Sequence, residues 1–187
     1  MRYTIRAVVV AAAALLVWAP APAGAEGFFS PFIGVNAANQ PVEGDTNFGF
    51  SAGYMGAGVI GGEFDFGYAP DVFGESVSNY ALTTMGNLIV GIPVGGTAGP
   101  GVRPYLTGGL GLIHTGADSA FGDQTTNDLG FNLGAGLMGF FSDHFGLRGD
   151  ARYFRNVTSD LRDSDLDPEF RLGNLDFWRA SIGIVIR

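Results

Sequence analysis

Leu147-Arg148-Gly149-Asp150-Ala151-Arg152-Tyr153 places Arg148, Asp150 and Arg152 on one parity and Leu147, Ala151 and Tyr153 on the other. Successive side chains of a β-strand point to opposite faces, so this heptapeptide has one charged face and one apolar face. An Arg on the lipid face of a membrane sheet costs about 2 to 4 kcal/mol at mid-depth. If this strand spans a bilayer, the apolar parity meets hydrocarbon and the charges point inward.

Working outward from that stretch, period-two patterning predicts eight strands, at residues 27–36, 47–56, 59–68, 79–93, 102–114, 129–141, 145–157 and 175–187. Phe48, Phe50, Ala52 and Tyr54 oppose Gly49, Ser51 and Gly53, and Ile60, Phe64 and Phe66 oppose Glu63 and Asp65. Leu82, Leu88, Val90 and Ile92 oppose Thr83, Asn87 and Gly91, while Leu106, Leu110 and Leu112 oppose Thr107, Gly109 and Gly111. Leu129, Phe131, Leu133 and Leu137 oppose Gly130, Asn132, Gly134 and Gly136, and Trp178, Ala180, Ile182, Ile184 and Ile186 oppose Arg179, Ser181 and Gly183. The first segment is apolar on both parities and its faces stay open.

The polar parity gathers Glu63, Asp65, Arg148, Asp150, Arg152 and Arg179. Buried charges persist only when paired and hydrogen-bonded, and the planar guanidinium fork suits carboxylates. These six groups are therefore expected to form an interior charge network. Gly56-Ala57-Gly58 and Ser142-Asp143-His144 read as tight connections and the run from Gly95 to Gly101 as a longer glycine-rich one, while the other four connections are mostly longer and polar. The expected fold is all-β: an eight-stranded antiparallel up-and-down transmembrane β-barrel, its interior just wide enough for side chains to fill.

Residues 1–25 combine Arg2 and Arg6, an apolar run from Ala7 to Trp18 and the small residues Ala23-Gly24-Ala25. This predicts a cleavable secretory signal peptide over residues 1–25 and one barrel domain over 26–187. There is no Cys, so neither a disulfide nor a Cys acylation site exists. All 10 basic residues are Arg, and the 18 acidic residues leave a formal charge of −8. With Arg2 and Arg6 removed, 8 Arg face those 18 acids and the charge falls to −10, which disfavours a nucleic-acid partner. The 31 Gly and 16 Phe suit a tightly curved, aromatic-girdled sheet, with Tyr54, Tyr68, Tyr80, Tyr153 and Trp178 as interfacial belts. Arg155 falls on the lipid-facing parity and fits only near the outer rim.

Four stretches then carry a resemblance: Gly61-Gly62-Glu63-Phe64-Asp65-Phe66-Gly67-Tyr68-Ala69-Pro70, Gly86-Asn87-Leu88-Ile89-Val90-Gly91-Ile92-Pro93, Val102-Arg103-Pro104-Tyr105-Leu106-Thr107-Gly108-Gly109-Leu110-Gly111 and Phe145-Gly146-Leu147-Arg148-Gly149-Asp150-Ala151-Arg152-Tyr153-Phe154. Over essentially all of 26–187 the chain resembles the outer-membrane protein β-barrel domain family, whose members look like small OmpA-, OmpX- or OmpW-type barrels. The resemblance implies location in the bacterial outer membrane, contact with its lipid and lipopolysaccharide, and insertion by the barrel assembly machinery. It departs from the usual pattern at the end, where Ile184-Val185-Ile186-Arg187 lacks the terminal aromatic; Arg187 is expected to snorkel at the periplasmic rim.

Candidate chemistry is sparse. His114 with nearby Asp118 and Ser119 invites an esterase reading, against polar rim residues; His144 reads as a solvated turn residue. Asp160, Asp163, Asp165, Asp167 and Glu169 alternate like calcium ligands but lack the central Gly of an EF-hand loop, and Pro168 stiffens the middle. The expectation is no catalytic residue, no cofactor and no metal, in a monomeric structural barrel serving envelope integrity or adhesion. Rival readings are a soluble exported barrel carrying an apolar ligand, a lipid-modifying enzyme and a narrow channel.

Overall fold

The computed structural model describes residues 25–38, 45–70, 79–119, 122–157 and 176–187. The predicted signal segment up to Gly24 and the acidic run from Asp160 to Glu169 lie outside the described residues. The strands are β1 (Ala25–Ala38), β2 (Asp45–Gly56), β3 (Ile60–Pro70), β4 (Asn79–Gly91), β5 (Gly101–Ser119), β6 (Gly122–Phe140), β7 (Phe145–Asn156) and β8 (Asp176–Ile186). Each pairs antiparallel with the next, and β1 pairs β8 from Phe29↔Ile186 to Ala38↔Phe177, closing the barrel. Closure leaves no unpaired sheet edge in hydrocarbon, the condition for a sheet to span a bilayer.

The tight turns lie at the end of the barrel that also holds Ala25 and Arg187. Between β2 and β3, Ala57 (φ 49°) and Gly58 (φ 69°) are both left-handed, and this twist joins adjacent strands in few residues. Between β6 and β7 the Ser142 Oγ accepts the Phe145 amide at 3.0 Å, closing the turn over His144.

Two boundaries differ from expectation. The sequence ends strand five at His114 and restarts at Leu129, but the ladder continues through Thr115↔Thr126 to Ser119↔Gly122, so β5 and β6 each run 19 residues. A strand crosses hydrocarbon in about 9 to 11 residues, so this hairpin extends past the bilayer. Beyond it no apolar face is required; the alternation fades while backbone pairing continues.

The faces follow the parity. Leu106, Leu110, Leu133 and Ile182 point outward and are 60 to 66% exposed, whereas Glu63, Asp65, Arg148, Arg152 and Arg179 are buried. β1 resolves with Phe28 and Ser30 inward and Phe29, Ile33 and Val35 outward. It was ambiguous because both parities carry Phe. The outward belt includes the ring pairs Phe48–Tyr68, Tyr68–Tyr80 and Tyr153–Trp178. An apolar outer wall around a charged lumen is the reverse of a soluble apolar-ligand carrier, so that rival reading is overturned.

Leu106→Arg is expected to lower the unfolding free energy in lipid vesicles by about 2 to 4 kcal/mol, the cost of a cation at mid-depth on the lipid face. Urea titration followed by Trp fluorescence checks it, with Leu106→Ala as a much milder control.

Candidate functional site: a buried ion network between two apolar layers

Glu63 on β3 is the hub of the barrel interior. Its Oε2 accepts from Arg148 Nη2 at 2.5 Å, and its Oε1 accepts from Arg152 Nη1 at 2.8 Å and Asn87 Nδ2 at 2.9 Å. Asp150 takes both arms of Arg152, Nε at 2.6 Å and Nη2 at 2.9 Å, and also accepts from the Tyr105 hydroxyl. Arg148 Nε in turn donates to the Tyr105 oxygen at 2.7 Å. Asp65 accepts from Arg179 Nη2 at 2.6 Å and Ser51 Oγ at 2.9 Å, with Arg152 Nη1 at 3.5 Å. All six residues singled out by parity thus meet in one cluster, three carboxylates against three guanidinium groups. Reach across the lumen is possible because glycines leave room: a Cβ on Gly67 would meet Arg179 and Thr83, and one on Gly134 would meet Arg152.

Apolar layers bracket the cluster. Toward the tight turns Phe28, Met55, Ile89, Met138 and Val185 pack together. Toward the opposite end Met85, Ile113, Phe154 and Phe177 do so, with Phe154 and Phe177 stacked at 4.9 Å. Arg179 threads this second layer, its guanidinium carbon 4.7 Å from both the Phe32 and Phe154 ring centres.

A second ion cluster, which the sequence reading did not assemble, closes the turn end. Glu26 pairs with Arg103 at 2.7 Å and Arg187 at 3.6 Å. Arg187 does not snorkel outward. Its side chain lies across the mouth, donating to the carbonyls of Asp143 and Gly99, each at 2.7 Å, with its guanidinium 4.0 Å from the Phe140 ring centre. Asp143 also accepts the Gly99 amide at 2.7 Å, tying two turns together. The correction follows from parity: Val185 is inward, Ile186 outward, and Arg187 therefore inward again. The parity opposite to the outward Leu106 also marks Arg103 and Tyr105 as interior; Glu26 precedes the predicted first strand and gave no such signal.

His114 is held elsewhere. It bonds Tyr80 Oη at 3.2 Å and Asn127 Oδ1 at 2.9 Å on the outward face. Asp118 and Ser119 follow on the same extended strand, which places their backbones about 13 Å or more along it. Both His114 ring nitrogens are thus engaged by Tyr80 and Asn127. His144 is exposed in its turn. Among the described residues, no three metal-ligating side chains come together.

The chain matches the family model for the outer membrane protein beta-barrel domain over residues 9–175. No curated protein matches it by sequence. Among solved structures it is similar to Neisserial surface protein A (TM-score 0.64, 17% identity, 87% of this chain and 98% of that one covered). It is likewise similar to the N-terminal β-barrel domain of Pseudomonas aeruginosa OprF (TM-score 0.57, 15% identity, 87% and 96% covered). A third is the attachment invasion locus protein Ail of Yersinia pestis, solved with the heparin analogue sucrose octasulfate (TM-score 0.51, 17% identity, 87% and 98% covered). With a closed eight-stranded wall, an apolar exterior and a family match across most of its length, this chain belongs to the outer membrane protein β-barrel domain family and resides in the bacterial outer membrane.

Proposed function

We propose that the protein is a non-conducting structural barrel of the outer membrane, contributing to envelope integrity while its outer connections meet surface partners. The observation that carries this reading is the sealed interior: a neutralised ion cluster held between two apolar layers of fully buried side chains. An ion crossing it would have to displace Met55, Ile89, Met138 and Val185 at one end and Phe154 at the other. These side chains have no measurable exposure. Closely packed interiors resist such rearrangement. The role proposed is not enzymatic.

In this reading residues 1–25 are the signal peptide and 26–187 the mature domain, inserted by the barrel assembly machinery and working as a monomer among lipid and lipopolysaccharide. Adhesion is the second role considered. The β5–β6 ribbon supports it, since it carries backbone beyond the bilayer where a surface partner would reach it. Ail was solved with a sulfated, polyanionic sugar; the acidic balance of the present chain, formally −8, argues for a different class of partner.

In planar bilayers the purified protein is expected to give no discrete conductance steps, and reproducible unitary currents would overturn the plug reading. Glu63→Ala leaves Asp150 as the one carboxylate shared by Arg148 and Arg152, and is expected to destabilise the barrel by about 3 to 5 kcal/mol, as for other broken buried pairs. The shift of the urea midpoint in vesicles measures it. Deleting the gene is expected to raise uptake of a hydrophobic fluorescent dye by intact cells, reversed by the wild-type chain; unchanged uptake would count against the envelope role.

A further inference from the structure

Among the described residues, the β1–β8 seam is the one ladder with a gap. It pairs Ile33 with Ile182 and Phe32 with Gly183, then passes over Ser30 and Pro31 before a single further pair, Phe29↔Ile186. The other ladders are unbroken over their paired residues. Pro31 has no N–H to give, so the seam loses a bond where that residue faces β8. From Phe28 back to Ala25, β1 pairs with β2 alone. Near the tight turns, one backbone pair holds the first strand to the last.

We infer that Arg187 and Glu26 form a strap that holds this end of the seam shut in place of the missing backbone pairs. Its two halves are anchored on opposite sides of the gap. Glu26 belongs to β1 and is held to β2 through the pair Glu26↔Met55. Arg187 follows Ile186, and its own N–H donates to the His144 carbonyl at 3.0 Å, so the end of β8 stays with the β6–β7 turn. The two side chains meet across the line between them, Nη1 to Oε1 at 3.6 Å. The carbonyls of Asp143 and Gly99 and the Phe140 ring brace the guanidinium for that reach. The Arg187 side chain is 6% exposed and that of Glu26 19%, so water screens the contact less than it would a surface pair. Neutralising Arg103 does not require Arg187, since Glu26 already meets Arg103 at 2.7 Å. The strap is a conformational device: on its release β1 stays with β2 and β8 with β7, and the cylinder parts first at the turn end of the seam. This inference goes beyond the structural role proposed above and does not depend on the plug.

The test measures amide hydrogen exchange of the ¹⁵N-labelled full barrel in micelles, which reports local opening residue by residue. Arg187→Gln leaves the Glu26–Arg103 pair in place and cuts the strap. It is expected to speed exchange at Phe29 and Ile186 by about tenfold, the scale of one lost charge-assisted hydrogen bond, with Ile33, Ile182 and Tyr105 unchanged. Pro31→Val, which returns the missing N–H, is expected to bring the Arg187→Gln barrel back toward the wild-type rate. Glu26→Gln, kept in case the first variant does not fold, is expected to give the same acceleration at Phe29 and Ile186. Unchanged rates at these two amides in a folded variant overturn the proposal. An equal acceleration at Ile33, Ile182 and Tyr105 overturns it too, since that is a general loss of stability, as does a failure of Pro31→Val to slow the Arg187→Gln barrel.

Discussion

Three guanidinium groups inside a membrane cylinder are tolerable only while each has a carboxylate, and Glu63, bridging Arg148 and Arg152, is the residue on which that balance turns. The partners come from β3, β7 and β8, with Asn87 of β4 and Tyr105 of β5 completing the shell. The Arg179–Asp65 pair joins residues 114 apart in sequence. Apart from the contacts of Asp150 with Arg148 and Arg152 within β7, none of these contacts is local. The charges are satisfied together when the sheet closes, which couples seam formation to the neutralisation of the lumen and favours an all-or-none transition over a half-wound barrel.

The remaining architecture serves the same constraint. Apolar layers above and below the cluster exclude water, and low polarity strengthens ion pairs that would be weak at a surface. Interior glycines give the long side chains room to reach one another, which is why the chain spends Gly on the polar parity in spite of its cost within a strand. On the outer wall the aliphatic and aromatic side chains meet lipid. The Tyr and Trp rings gather toward the polar boundaries, where an apolar body with one polar tip is best accommodated.

Strand count, order, antiparallel pairing and the six-residue interior cluster were legible in the sequence because a membrane sheet needs period-two alternation and a misplaced charge is costly. β1 was not, since Phe28 and Phe29 give both faces the same character; only pairing with β2 and β8 decides which looks inward. The far reach of β5 and β6 was hidden because alternation disappears where lipid ends, while the backbone ladder does not. Glu26 and Arg187 meet only through closure of the barrel.

The alternation has a bearing on the chain before it ever reaches the outer membrane. An exported polypeptide must pass through the inner bilayer without lodging there, and lodging needs about 20 consecutive apolar residues. Strands such as Leu147-Arg148-Gly149-Asp150-Ala151-Arg152 interrupt the apolar run at alternate positions, so wound as a helix this stretch would carry charge on opposite sides. The residues that later cancel one another inside the finished cylinder thereby keep the nascent chain from stalling in transit.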